Sequence, residues 1–175
     1  MPPLLYYNTS RKELDVKRVA FPVFTTVLYI VLLAFFFAEV EIQIEGSAGW
    51  AANLPTWRIE QHWLLDWFWG GRPMTGYHAW MLAFMALVFH LPAVLMRQWS
   101  WRLEFRILGA LALFWVVEDW LWFVLNPAYG LARFSPQFVS WHKSWIGPAP
   151  SAYWTFGTTG LVLLVTSFNS RTEDV

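Results

Sequence analysis

The sequence predicts an all-α integral membrane protein: a four-transmembrane-helix bundle with an interfacial helix and two long, ordered outer connectors. Three observations carry that reading. Of 175 residues, 57% are hydrophobic and 14% are charged, against about 25% charged in soluble domains. Apolar runs at about 21–38, 77–96, 107–125 and 151–168 have the length of spanning helices. The charged residues gather mostly between these runs, so the whole chain reads as one membrane domain.

Composition also excludes. Twelve Lys and Arg balance twelve Asp and Glu, so no bulk positive field draws nucleic acid, and no nucleic-acid motif is present. There is no Cys. Disulfides, thiolate metal sites, Cys-ligated iron–sulfur clusters and prenyl or palmitoyl anchors are therefore ruled out. The four His and the acidic residues are left as the main candidate ligands.

The first run, 21–38, is longer than a signal-peptide core and lacks a cleavage site directly after it, so it reads as an uncleaved span. Glu39 to Glu45 (EVEIQIE) alternates with period two, which predicts an extended stretch. Asn53-Leu54-Pro55-Thr56 signals a turn. The segment 57–69 has a helical pattern but is too short to span, so it is expected to lie in the interface. There Arg58, His62 and Asp66 recur every fourth residue. The second span carries His78 at its start and His90 well inside, with a tolerated Pro92. The third span ends at Asn126-Pro127. A connector rich in Pro and Gly, holding Trp141, His142, Lys143 and Trp145, leads to the fourth.

Short-loop basic residues decide orientation. Arg11, Lys12, Lys17 and Arg18, the loop with Arg97, Arg102 and Arg106, and Arg171 fall on one side. Both termini are thus expected in the cytoplasm, and the two long connectors outside, in the periplasm of a bacterium whose inner membrane holds the protein. Of fourteen Trp, only Trp99 and Trp101 fall on the cytoplasmic side. A thick aromatic outer layer is expected, with a single deep interfacial belt as the plainer alternative.

The third span holds two adjacent carboxylates, Glu118 and Asp119, in the stretch WVVEDWLWFVLNP. Even lenient scales put the cost of a charge at a helix centre at roughly 2.5–3.5 kcal/mol, so compensation is expected. The four-span topology brings Glu39, Glu41, Glu45, His62, Asp66, His78 and His142 to the same outer side. Imidazoles with carboxylates suit zinc, iron or manganese. The expected metal ligands are His62, Asp66, Glu118 and His142, with zinc or iron bound and Asp119 as the catalytic carboxylate. Adjacent helical residues diverge by about 100°, so Glu118 and Asp119 are not expected in one coordination shell. Glu39, Glu41, Glu45, His78, Asn126 and Arg58 are supporting or alternative ligands.

Each assignment has a structural competitor. His62 and Asp66 also read as a surface helix pair, His78 as an interfacial anchor, and Glu118 with Asp119 as half of an interhelical salt bridge. Haem is disfavoured, because His78 and His90 lie about 120° apart on one helix. No Gly-x-Ser-x-Gly elbow and no phosphate-binding Gly-rich loop is present. The sequence thus supports a metal-dependent membrane protein, acting as an enzyme on a lipid or amphipathic substrate. The alternative is an accessory subunit of a larger membrane complex, contacting other subunits, pigment or lipid through its Trp-rich layer. Ion conduction past Glu118 ranks last, since the inner halves of the third and fourth spans lack further ionisable residues.

Overall fold

The computed structural model describes residues 4–168, with side chains described from Pro22 onward except at 67 and 68. The side chains of Arg11, Lys12, Lys17 and Arg18, and the tail with Arg171, lie outside the described residues, and most of the charge-based orientation rests on them. The chain is mostly helical. Helix α1 spans Leu4–Glu45, α2 Trp63–Phe68, α3 Gly76–Met96, α4 Trp101–Leu125 and α5 Ser151–Phe168. Among the described residues, three helical stretches are long and apolar enough to cross a membrane: Pro22–Glu45, Gly76–Met96 and Trp101–Leu125. They mark a membrane protein. The expected fourth span is a helix, α5, of 18 residues, with a hydroxyl- and Gly-rich first half that lowers its apolar character.

Helix α4 is the centre, with α1 and α5 packed along it and α3 touching it more sparsely. The α1 stripe Ile30, Ala34, Ala38 and Ile42 is buried at helical spacing. On α4 the matching stripe is Ile107, Ala110, Phe114, Glu118 and Trp122. Glu118 therefore sits on the face of α4 that packs inward. Helices α4 and α5 meet backbone to backbone at a pair of glycines. A Cβ on Gly109 would fall 2.8 Å from both Gly160 O and Leu164 N. Small residues permit such approaches where apolar burial gives little drive between helices. Away from these contacts the helices expose large apolar side chains such as Phe36, Leu87 and Val162, as a lipid-facing surface requires.

Two expectations are corrected. Glu39 to Glu45 is helical, not extended: α1 runs through it and stops at Gly46, which takes a positive φ of 64° and closes on Ile42 O at 2.9 Å. The period-two pattern is only seven residues long and directly follows a strong helix, which simply continues. The segment 57–69 is not one interfacial helix either. Arg58–Ile59 (β1) pairs antiparallel with Met74–Thr75 (β2), and only the six residues of α2 are helical. Gly70 and Gly71, at φ 63° and 73°, turn the chain back to make that pairing.

The second connector, 126–150, folds over the ends of α1 and α4. Asn126 donates from Nδ2 to Gly46 O at 2.9 Å and accepts from Ala128 N at 3.0 Å, tying the end of α4 to the end of α1. A two-residue ladder, Trp145–Ile146 (β3) with Ala149–Pro150 (β4), leads into α5. Val139, fully buried, joins Ala38, Ile42, Trp122 and Phe123 in a second core ringed by Tyr129, Phe134, Trp141 and Trp145. Aromatic clusters do gather at this end of the molecule.

The glycine contact generates a test. Gly109→Val should destabilise the protein by about 1–3 kcal/mol, because the branch meets backbone that cannot yield. Gly157→Ala, with nothing within 4 Å of its Cβ, should be neutral or stabilise by up to about 1 kcal/mol. Thermal unfolding in detergent reads both.

Candidate metal centre

Helix α1 places Glu41 and Glu45 one turn apart on its buried stripe, at 7% and 9% exposure. Glu118 enters from α4 at 2% exposure and lies beside Glu41. His78 enters from the first turn of α3. That turn is capped by Thr75, whose hydroxyl accepts from His78 N at 3.2 Å and meets His78 Nδ1 at 2.6 Å. With Nδ1 fixed, Nε2 points at Glu45 Oε1, 3.8 Å away. One ligand atom each from Glu41, Glu45 and His78 lie within 4.8 Å of one another. A bound zinc with ligands at about 2.0–2.1 Å would draw them to roughly 3.4 Å, a shift that side-chain rotation supplies. An Nδ1 that donates to Thr75 leaves Nε2 with its lone pair free, the tautomer a metal needs.

The loop above is built to hold this His. Trp50 stacks on its ring at 3.9 Å between centroids and 21° between planes. Trp50 and Ala51 take positive φ values of 46° and 51°, a costly conformation for residues with side chains. Three bonds hold it: Ala51 N donates to Glu45 Oε1, Arg58 donates to Ala51 O, and Trp50 Nε1 donates to Pro73 O at 2.8 Å.

Asp119 points away from Glu118, as their helical phase requires, and finds other company. His142 Nε2 lies 3.0 Å from its Oδ2, and Tyr153 donates to the same oxygen at 2.6 Å. His142 is 4% exposed, and its carbonyl accepts from Trp145 Nε1 at 2.9 Å. The second connector thus reaches the third span through His142.

Arg72 completes the set. Its guanidinium lies 4.7 Å from the Trp50 ring centroid and 4.8 Å from that of Trp69, and its Nε donates to Trp69 O at 3.3 Å. Burial pushes Arg72 below its ordinary value while Asp119 pulls it back up; an arginine remains charged throughout. These groups line one cavity of about 80 Å³, together with residues of α3, α4 and α5. A single water needs about 10–15 Å³ on that scale, so the space holds several waters or a small group. Three buried polar atoms on its wall lack a hydrogen-bond partner: Glu118 Oε1, Trp69 Nε1 and Trp122 Nε1. Native interiors leave few such atoms.

The expected ligand set is only partly assembled. Glu118 lies on the cavity wall beside Glu41, outside the close group formed by the alternates Glu41, Glu45 and His78. His62 is exposed, precedes α2 as its N-cap and accepts from Leu64 N at 3.2 Å, so the expected His62–Asp66 helical pair is not formed. Asp66 is also exposed and lines a neighbouring groove with Lys143. His142 is committed to Asp119 and Glu39 is half-buried outside the cavity wall. Arg58 and Asn126 serve as structural ties. Thr75, Trp50, Trp69 and Tyr153 were not singled out by sequence. Thr75 had a usable signal, an N-cap Thr three residues before His78. Compared with known proteins, the chain matches no family model, no curated protein and no solved structure.

The Asp119 cluster can be dissected. Tyr153→Phe removes one of two donors to Oδ2 and should cost about 1–2 kcal/mol. His142→Ala strips the opposing imidazole from a mostly buried carboxylate and should cost more, about 3 kcal/mol. Chemical or thermal unfolding of the variants in detergent would rank them.

Proposed function

We propose that the protein is a metal-dependent membrane enzyme with a zinc- or iron-type ion held by Glu41, Glu45 and His78, acting on a lipid or other amphipathic molecule. The observation that carries this is the ligand-like grouping of Glu41, Glu45 and His78, one ligand atom of each within 4.8 Å of the others, with the buried Glu118 carboxylate beside Glu41. Charge supports it. Glu41, Glu45 and Glu118 line one cavity wall, and none has a Lys or Arg ion-pair partner among the described residues; a divalent cation would offset such a cluster of acids. Three protein ligands with a position left open is the usual form of a catalytic zinc site.

An ion held by Glu41, Glu45 and His78 would supply an acidified water as nucleophile, and Glu118, beside Glu41, would be the base that takes a proton and returns it to the departing oxygen of a cleaved ester. Asp119, first considered for that role, already carries two hydrogen bonds on one oxygen and instead anchors the second connector. In this reading α5 is the fourth span, completing a four-helix bundle, since it packs along α4 from the same end. Both termini are then cytoplasmic and the centre faces the periplasm of a bacterial inner membrane.

A second reading, an accessory subunit, draws on α3, which packs sparsely against α4 and exposes Trp80, Leu87 and Leu95. Native mass spectrometry showing a stoichiometric partner subunit would favour it.

Elemental analysis of the purified protein decides the first reading. About one zinc, iron or manganese per chain is expected, lost in Glu41→Ala, Glu45→Ala and His78→Ala and kept in His62→Ala and Asp66→Ala. Sub-stoichiometric metal, indifferent to these changes, would sink the proposal. Chelation should also lower stability, by about 2.7 kcal/mol if the ion had been present at a hundred times its dissociation constant.

A further inference from the structure

The geometry points to Arg72 as the receptor for an oxyanion, a phosphate or carboxylate, on the head of an amphipathic substrate. This deepens the metal-dependent reading above and rests on it for the second contact to the head. The argument starts from the donors. Arg72 is 8% exposed, and its one hydrogen bond from the side chain among the described residues is Nε to Trp69 O. No described carboxylate lies within ion-pair distance of it. Its terminal nitrogens, with four N–H groups in a planar fork, are therefore unused inside a buried cavity. A guanidinium cannot shed its proton to escape that cost. Trp50 and Trp69 stabilise its charge through their ring faces, and those contacts consume no N–H. The fork is held in place and left free, which is the arrangement bidentate recognition of carboxylate or phosphate requires.

Two further features set the class of molecule. The same cavity is also lined by Glu41, Glu45 and His78, so an oxyanion held by Arg72 would share it with the proposed ion. The remaining wall is apolar: Met81 and Leu82 from α3, Trp115 and Val116 from α4, Phe156 from α5. Helices α3 and α5 both form this wall without packing closely on each other. An acyl chain entering between them from the lipid would place its head at Arg72. A water-soluble anion needs no such wall.

The test is binding to the full-length protein in a neutral detergent, read by quenching of tryptophan fluorescence and by native mass spectrometry, with the protein both chelated and metal-loaded. The probes are dihexanoyl phosphatidic acid, hexanoate, inorganic phosphate and the uncharged dihexanoyl glycerol. Binding of the two anionic amphiphiles at least tenfold tighter than dihexanoyl glycerol, in chelated protein, is expected. Arg72→Gln should abolish that preference and Arg72→Lys should restore part of it, with metal content unchanged in both. Inorganic phosphate alone binding as tightly as phosphatidic acid would identify a free anion and overturn the amphiphile assignment. Equal binding of dihexanoyl glycerol, or anion binding unchanged in Arg72→Gln, would overturn the role of Arg72. If Arg72→Gln does not fold, the comparison of charged and uncharged probes on the native protein still decides. Absence of metal with Arg72-dependent anion binding intact would sink the metal reading and leave the receptor standing.

Discussion

The structure is organised by one electrostatic constraint: four carboxylates converge on a largely buried cavity lined by four helices. Glu118 lies on the stripe of α4 that must pack inward, and α1 answers with Glu41 and Glu45 from its own inward stripe. Each ion so placed carries a desolvation cost of several kcal/mol unless it is paired or hydrogen-bonded. The compensation is supplied one group at a time. Asp119 receives His142 and Tyr153, Glu45 receives a backbone N–H, and Arg72 brings a full positive charge into the same cavity. Glu118 and Glu41 lie beside each other, and that acid pair, without a Lys or Arg ion-pair partner among the described residues, is what supports reading the cavity as a site rather than as a salt-bridge network.

The two connectors exist to deliver those groups. The first bends through two residues of positive φ so that Trp50 can pack against both His78 and Arg72. It then returns through the β1–β2 pairing, which ends at Thr75, the residue that orients His78. The second connector is anchored by Asn126 and carries His142 down to Asp119. Neither connector has much regular structure, yet both are fixed by named hydrogen bonds and by aromatic packing. Strain at Trp50 and Ala51 is maintained because Glu45 and Arg58 hold the turn from both sides.

The helices and the inward acid pair were legible because apolar runs of spanning length and a charge inside one of them are strong signals. The divergence of Glu118 and Asp119 followed from helical phase alone, and the structure keeps it. Two local patterns misled. EVEIQIE satisfies both a strand period and, through Glu41 and Glu45, the i to i+4 spacing of a helix, and a continuing α1 decides between them. Read as a helix, that spacing would have pointed to Glu41 and Glu45 as a ligand pair. The R-x-x-x-H-x-x-x-D spacing suggested a helical face, but the gain from pairing β1 with β2 outweighs a propensity that is weak over so few residues. The Arg72 pocket was illegible for a different reason. Its meaning depends on two Trp rings brought together from 50 and 69, and only tertiary contact shows that they share one guanidinium.

The abundance of Trp takes on a specific sense from that pocket. A carboxylate placed against Arg72 would have neutralised it and closed its fork; an aromatic face stabilises the charge electrostatically and leaves every terminal donor available. Trp also presents a large apolar surface, so the same residues that hold the cation form a wall on which a hydrocarbon chain can rest. Low polarity around the cavity strengthens each remaining polar contact. Carboxylates and a caged guanidinium on the wall of one largely apolar cavity would therefore offer two poles, one for a cation and one for an anion. Under the proposal above, a group negatively charged at its head and apolar behind would answer both, which neither lipid hydrocarbon nor water alone would do.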